Sequence, residues 1–126
     1  AINIEARTMI DIATKQIISA VFRYETVLAQ SIQSVQAVGE FDVSVQLELL
    51  KKCTENLSET RKAMGALRVL ADRACQYPGG RERAEFCRRQ VVPAMEALRK
   101  PVDHLEMLVD KEMWPMPSYG DLIFEV

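Results

Sequence analysis

The sequence predicts an all-α chain: three long helices in an antiparallel bundle or helical hairpin, followed by an extended C-terminal tail. Three observations carry this. Apolar residues recur at three- and four-residue steps through three long spans, which is the period of one helical face. Breakers fall between the spans, at Gly39 and at Tyr77-Pro78-Gly79-Gly80. Five glycines and five prolines in 126 residues are too few for the many turns of a β-sandwich.

The first helix is expected over residues 3–38 of a segment 1–38. Its stripe reads Met9/Ile10, Ala13, Ile17, Ala20/Val21, Tyr24, Val27/Leu28, Ile32 and Val35. Asn3 reads as its N-cap, Glu5 suits the positive end of its dipole, and Gly39 sits where a left-handed C-cap glycine belongs. Unbroken, it would be about 54 Å long at ~1.5 Å per residue and would need a partner of similar length. Residues 42–76 supply one, with Asp42 as N-cap and Val43, Leu47, Leu50, Thr54, Leu57, Met64, Leu67, Ala71 and Ala74 in step. Arg61 interrupts that stripe and is expected to lay its aliphatic stem along the seam.

The third helix is expected over 81–113, carried by Ala84, Cys87, Val91, Ala94/Met95, Leu98, Val102, Leu105, Leu108/Val109 and Met113. Pro93 and Pro101 lie inside it. Each removes a donor and crowds the carbonyl four residues back, at about 3 kcal/mol in a straight interior helix. The pattern crosses both, so a proline-kinked helix is expected, with two helices broken at Pro101 as the alternative. The tail, 114–126, is extended and proline-spaced. Together these segments read as one helical domain, 1–126, and the start at Ala1, mid-pattern and without Met, suggests an excised fragment or a processed end.

Chemistry is sparse. A net charge of −2 does not give a nucleic-acid footprint, and no apolar run reaches the ~18–20 residues of a membrane span, so neither nucleic acid nor membrane is an expected partner. Cys53, Cys75 and Cys87 form no CxxC pair and point to a reducing, cytoplasmic setting. His104 is the sole histidine, which removes any multi-histidine metal cluster, and it reads as a solvated or hydrogen-bonded side chain. Asp103 with Glu106, and Asp110 with Glu112, read as solvated charge. Gly79-Gly80 ahead of Arg81 and Arg83 reads as an inter-helix turn with exposed arginines rather than as an anion site. The phosphate-binding patterns GxGxxG and GxxxxGK[ST] are absent. No catalytic, cofactor-binding or metal-ligating residue is therefore assigned.

Two stretches carry a resemblance. "NIEARTMIDIATKQIISAVFRYE", residues 3–25, and "VVPAMEALRKPVDHLEMLVDKEMWPMPSYGDLIFEV", residues 91–126, resemble the C-terminal helical region of type III glutamine synthetases. In that family an E-x-R-T-M helix start follows the catalytic domain. The polypeptide ends in a V-P-A-M-x-x-L-R helix and a W-P-x-P-[ST]-Y-x-D-L-[IL]-F tail. Residues 39–90 match only in helical pattern and length, and Pro101 departs from the helix-favouring residue expected there. The resemblance implies a cytoplasmic glutamate–ammonia ligase that uses ATP and a divalent metal (Mg or Mn) and assembles as stacked rings. Those ligands belong to the upstream catalytic domain. The implied partners of this region are its own catalytic domain and neighbouring subunits, and its implied role is oligomer architecture or regulation. A self-contained helical adaptor is the alternative. Trp114, Pro115, Pro117, Tyr119, Leu122 and Phe124 are the candidate interface, a tail that folds back along the bundle or docks on the catalytic domain.

Overall fold

The computed structural model describes residues 1–116, and every regular element among them is helical, in three helices. The all-α expectation holds over those residues. The first helix runs as Ile2–Ile12, a π-helical turn Ala13–Ile17, then Ile18–Val38. The second is unbroken, Ser44–Cys75. The third runs as Gly80–Phe86, a π turn Cys87–Val91, then Val92–Leu108.

Helix ends depart from the expected ones for local reasons. The first helix begins at Ile2 without a side-chain cap; Asn3 lies inside it and its Nδ2 donates instead to Cys75 Sγ, at 2.9 Å. Asp42 stands one residue outside the second helix, whose N-cap is Val43. Its carboxylate still takes the Ser44 N–H at 2.9 Å, and hydrogen bonding by the Ser44 side chain, then by that N–H, draws its pKa down. Gly39 closes the first helix in extended backbone, φ 178°, rather than left-handed. The turn that does require glycine is Gly79-Gly80, with φ of 111° and 68°. Arg83 folds back over that turn, donating to the carbonyls of Cys75 and Tyr77 that the second helix leaves open.

The prolines are absorbed differently from one another. Ahead of Pro93 the helix widens into its π turn, where the Val92 N–H reaches the Cys87 carbonyl five residues back. That widening relieves the carbonyl of Arg89, which the Pro93 ring would otherwise crowd. Pro101 is buried and Val92–Leu108 continues through it, so no break occurs there. The third helix ends five residues sooner than expected. Val109 is extended, and Asp110 accepts the Glu112 N–H at 2.9 Å to start a 3-10 turn, Lys111–Met113. Periodicity missed this end because the 3-10 turn keeps Met113 on the inward side.

As residue number rises along the first helix it falls along the second: Arg7 pairs with Asp72 (2.7 Å), Glu25 accepts from Thr54 (2.7 Å), and Ser31 accepts from Gln46 (3.3 Å). The third helix meets the second the same way, with Phe86 and Cys87 among the residues that pack with Ala71 and Ala74, and His104 beside Asn56. Two buried clusters result. One gathers Ala6, Ile10, Leu67, Ala71, Val91 and Leu98; the other gathers Ile17, Val21, Cys53, Leu105, Val109 and Trp114. The π turn at Ala13–Ile17 is where the first helix passes from one cluster to the other. Arg61 is exposed, a correction to its expected seam position. Fully buried Thr60 occupies the seam one residue earlier, its hydroxyl donating to the Asn56 carbonyl at 2.7 Å. A small hydroxyl satisfied within its own helix fits where a guanidinium does not.

Candidate functional site

The candidate interface begins where the third helix stops. Extended Val109 and the one-turn 3-10 helix, fastened by the Asp110 carboxylate, reverse the chain and lay the Trp114 indole against Ile17, Val21, Cys53, Leu105 and Val109. Asp110 thus does structural work that a solvated charge would not. Trp114 is 9% exposed, and its Nε1 is buried with no hydrogen-bond partner. Pro115 is exposed. Pro117, Tyr119, Leu122 and Phe124 lie outside the described residues.

Trp114 also lines an open groove of about 500 Å³ between the first and third helices. Met9, Ile12, Ile17, Leu98 and Val102 supply its apolar lining, with Arg99, Asp103 and Glu106 as its polar residues. Met116, the last described residue, lines the same groove. A second groove of about 420 Å³ lies between the second and third helices, with Glu59, Lys62, Lys100 and His104 among its walls. His104 Nδ1 stands 3.2 Å from Asn56 Oδ1, a hydrogen bond in which the ring nitrogen carries the proton.

The three thiols differ. Burial, reinforced by the negative charge of Glu25, pushes Cys53 up to about 11. Cys87 is buried in the apolar core. Cys75 is exposed, and hydrogen bonds from Arg7 and Asn3 hold its pKa below the usual thiol range. That arrangement is not legible in the sequence, because its donors lie some seventy positions away. Among the described residues, no group of three or more His, Cys, Asp or Glu side chains is placed to hold a metal ion. No helix among them is long and apolar enough to cross a membrane.

What this geometry offers is packing and contact surface around the groove. Comparison with known proteins gives the class. The family model for the glutamine synthetase C-terminal domain matches residues 1–36. The chain is similar over 98% of its length to the type-3 glutamine synthetase of Dictyostelium discoideum, at 26% identity. It is likewise similar over 98% of its length to the glutamine synthetase of Bacteroides fragilis, at 27%, and over 100% to that of Butyrivibrio fibrisolvens, at 26%. In each case it covers 18% of the relative's length. These matches make the chain similar to glutamine synthetases over nearly its whole length, and to their C-terminal domain over residues 1–36. The type III resemblance carried by residues 3–25 and 91–126 is thereby borne out.

Proposed function

We propose that this chain is the non-catalytic helical domain of an ATP-dependent glutamate–ammonia ligase, in which it supports oligomer architecture or regulation. The observation that carries this is the alignment of nearly the whole chain with glutamine synthetases of which it covers only 18%. The missing four-fifths is where a catalytic domain with ATP and Mg or Mn belongs. In this reading residues 1–126 form one domain in an antiparallel bundle, the enzyme is cytoplasmic, and its subunits stack as rings. The opposed numbering of the Arg7–Asp72, Glu25–Thr54 and Ser31–Gln46 contacts supports the antiparallel arrangement. The tail that begins at Trp114, with Pro115, Pro117, Tyr119, Leu122 and Phe124, serves as a docking segment.

The open reading frame upstream of Ala1 tests the enzyme assignment directly. A glutamine synthetase catalytic domain is expected there, and the full protein should form glutamine from glutamate, ammonia and ATP. A frame without that domain would overturn the assignment in favour of an adaptor. The 126-residue chain by itself is expected to show no ligation, and ATP-dependent glutamine formation in a clean preparation of it would overturn the non-catalytic reading.

A further inference from the structure

Two exposed features, one at the entry to the second helix and one along it, are complementary in charge and shape. The first is the tip where the first helix passes into the second. Val38 is 81% exposed, Phe41 58% and Val45 68%. The Phe41 ring lies so close over Gly39 that a Cβ there would come within 3.1 Å of it. Glu40 and Asp42 flank Phe41, and residues 24–50 hold four acidic residues, Glu25, Glu40, Asp42 and Glu48, with no lysine or arginine. Large apolar groups clustered in water mark an interaction surface, and an acidic border selects a basic partner.

The second feature is an open hollow of about 470 Å³ on the second helix, lined by Arg61, Lys62, Met64, Gly65, Ala66 and Arg68. No carboxylate lines it. Lys62 reaches Glu59 at 3.7 Å, and neither Arg61 nor Arg68 makes an ion pair or hydrogen bond among the described residues. Glycine inside a helix is destabilising relative to alanine, and nothing in this chain requires one at 65. A Cβ there would meet nothing within 4 Å beyond the helix's own backbone. The missing side chain leaves room for a group that approaches from outside.

We propose that the Glu40-Phe41-Asp42 tip of one copy of this chain docks in the Gly65 hollow of a second copy. Phe41 then covers Gly65 and Ala66, and the two carboxylates face Arg61, Lys62 and Arg68. A chain cannot fill its own hollow, because Ser44 and Gly65 stand about 32 Å apart along one unbroken helix. Tip against tip would set Glu40 and Asp42 against their own copies, like charge against like. The contact is therefore head to tail, with one tip and one hollow offered by each copy. It gives the oligomer role proposed above a place in this chain, and rests on that reading.

Sedimentation velocity of the 126-residue chain over a roughly hundredfold concentration range reads the contact. The mean mass should rise with concentration, and less steeply in high salt. Glu40→Arg with Asp42→Arg in one chain, and Arg61→Glu with Arg68→Glu in another, should each raise the dissociation constant at least about tenfold. An equimolar mixture of those two chains should associate again, because every acidic site then meets a basic one. Gly65→Leu should abolish association yet melt no lower than the parent chain, since its side chain fills only the hollow. If a charge-reversed chain loses helicity by circular dichroism, Gly65→Leu decides. A parent chain that stays monomeric throughout would overturn the inference and leave the tip to some other part of a longer protein. Folded variants that associate like the parent, or a folded mixture that stays monomeric, would overturn it equally. The oligomer role itself is read from assembly of the full protein with residues 1–126 deleted, so that reading and this contact fail separately.

Discussion

The three-helix body and the two-helix tip of this molecule are written with the same apolar period and end up packed differently. In the body, around Leu67, Leu98 and Leu105, each helix has two neighbours and its apolar stripe disappears from solvent. Past the level of Val21 and Cys53 the third helix has stopped, and only the first and second continue, to Val38 and back from Ser44. There Leu28 and Val43 are buried, but Val27 is 48% exposed and Leu47 51%. One neighbour covers part of a stripe and two cover all of it. Periodicity therefore reports which side of a helix is apolar, and the number of neighbours decides whether that side is dry.

The widest test of this contrast is truncation of a leucine in each region. Leu67→Ala should cost about 2–5 kcal/mol, because a wholly buried side chain leaves both its transfer energy and a cavity behind. Leu47→Ala, exposed at the tip, should stay within about 0.5 kcal/mol. Urea unfolding of the two variants checks both, and equal losses would show that the tip is covered in solution.

Alkaline pH should also separate the regions. Folded Cys53 titrates at about 11, above the ordinary thiol value of about 8.5. A raised folded pKa contributes stability that is complete below the unfolded value and lost as pH rises through the folded one. The body should therefore weaken by up to about 3 kcal/mol between pH 8.5 and 11. Cys53→Ala should flatten that slope in a series of melts across this range, whereas Val45→Ala at the tip should leave it in place. A smaller effect belongs to Thr60→Val, which keeps the shape and deletes the hydroxyl bonded to Asn56: about 1 kcal/mol by urea unfolding.

The helices and the family resemblance were legible in the sequence because both rest on local pattern: a three-to-four step, Pro78-Gly79-Gly80, and the spacing of Trp114-Pro115-Met116-Pro117. Residues that act across the fold were not legible. Thr60 and Arg61 adjoin in sequence, and only the turn of the second helix toward both neighbours decides which one enters the seam. The π turn before Pro93 follows from a proline visible in the sequence, but its twin at Ala13–Ile17 has no breaker beside it. Asn3 looked like a cap because capping residues are recognised by position; its contact with Cys75 depends on how the far end of the second helix lies against the first. The proposed interface at Trp114 was half legible. Its apolar, proline-spaced composition marked it, while the groove that receives the indole exists only once three helices are assembled.

The smallest expected effect on stability lies at the closed end of the body, and it is the most specific test of how the first and second helices are aligned. Arg7 and Asp72 form an exposed ion pair, a kind that contributes little to stability and that salt screens, so Arg7→Gln should melt close to the parent chain. Its consequence should appear at Cys75 instead. Arg7 and Asn3 both donate to that sulfur and favour the thiolate. Because the folded pKa is depressed, this preference for the folded state is fully present above the ordinary thiol pKa and fades as pH falls through the lowered value. Removing the Arg7 donor should return the pKa upward. Alkylation of the native chain by iodoacetamide should then follow one fast site, Cys75, with buried Cys53 and Cys87 silent until the chain is denatured. In Arg7→Gln the pH–rate profile of that site should move to higher pH, slowing the reaction a few-fold at neutrality. An unmoved profile would mean that the first and second helices do not hold the register in which residues 3 and 7 face residue 75.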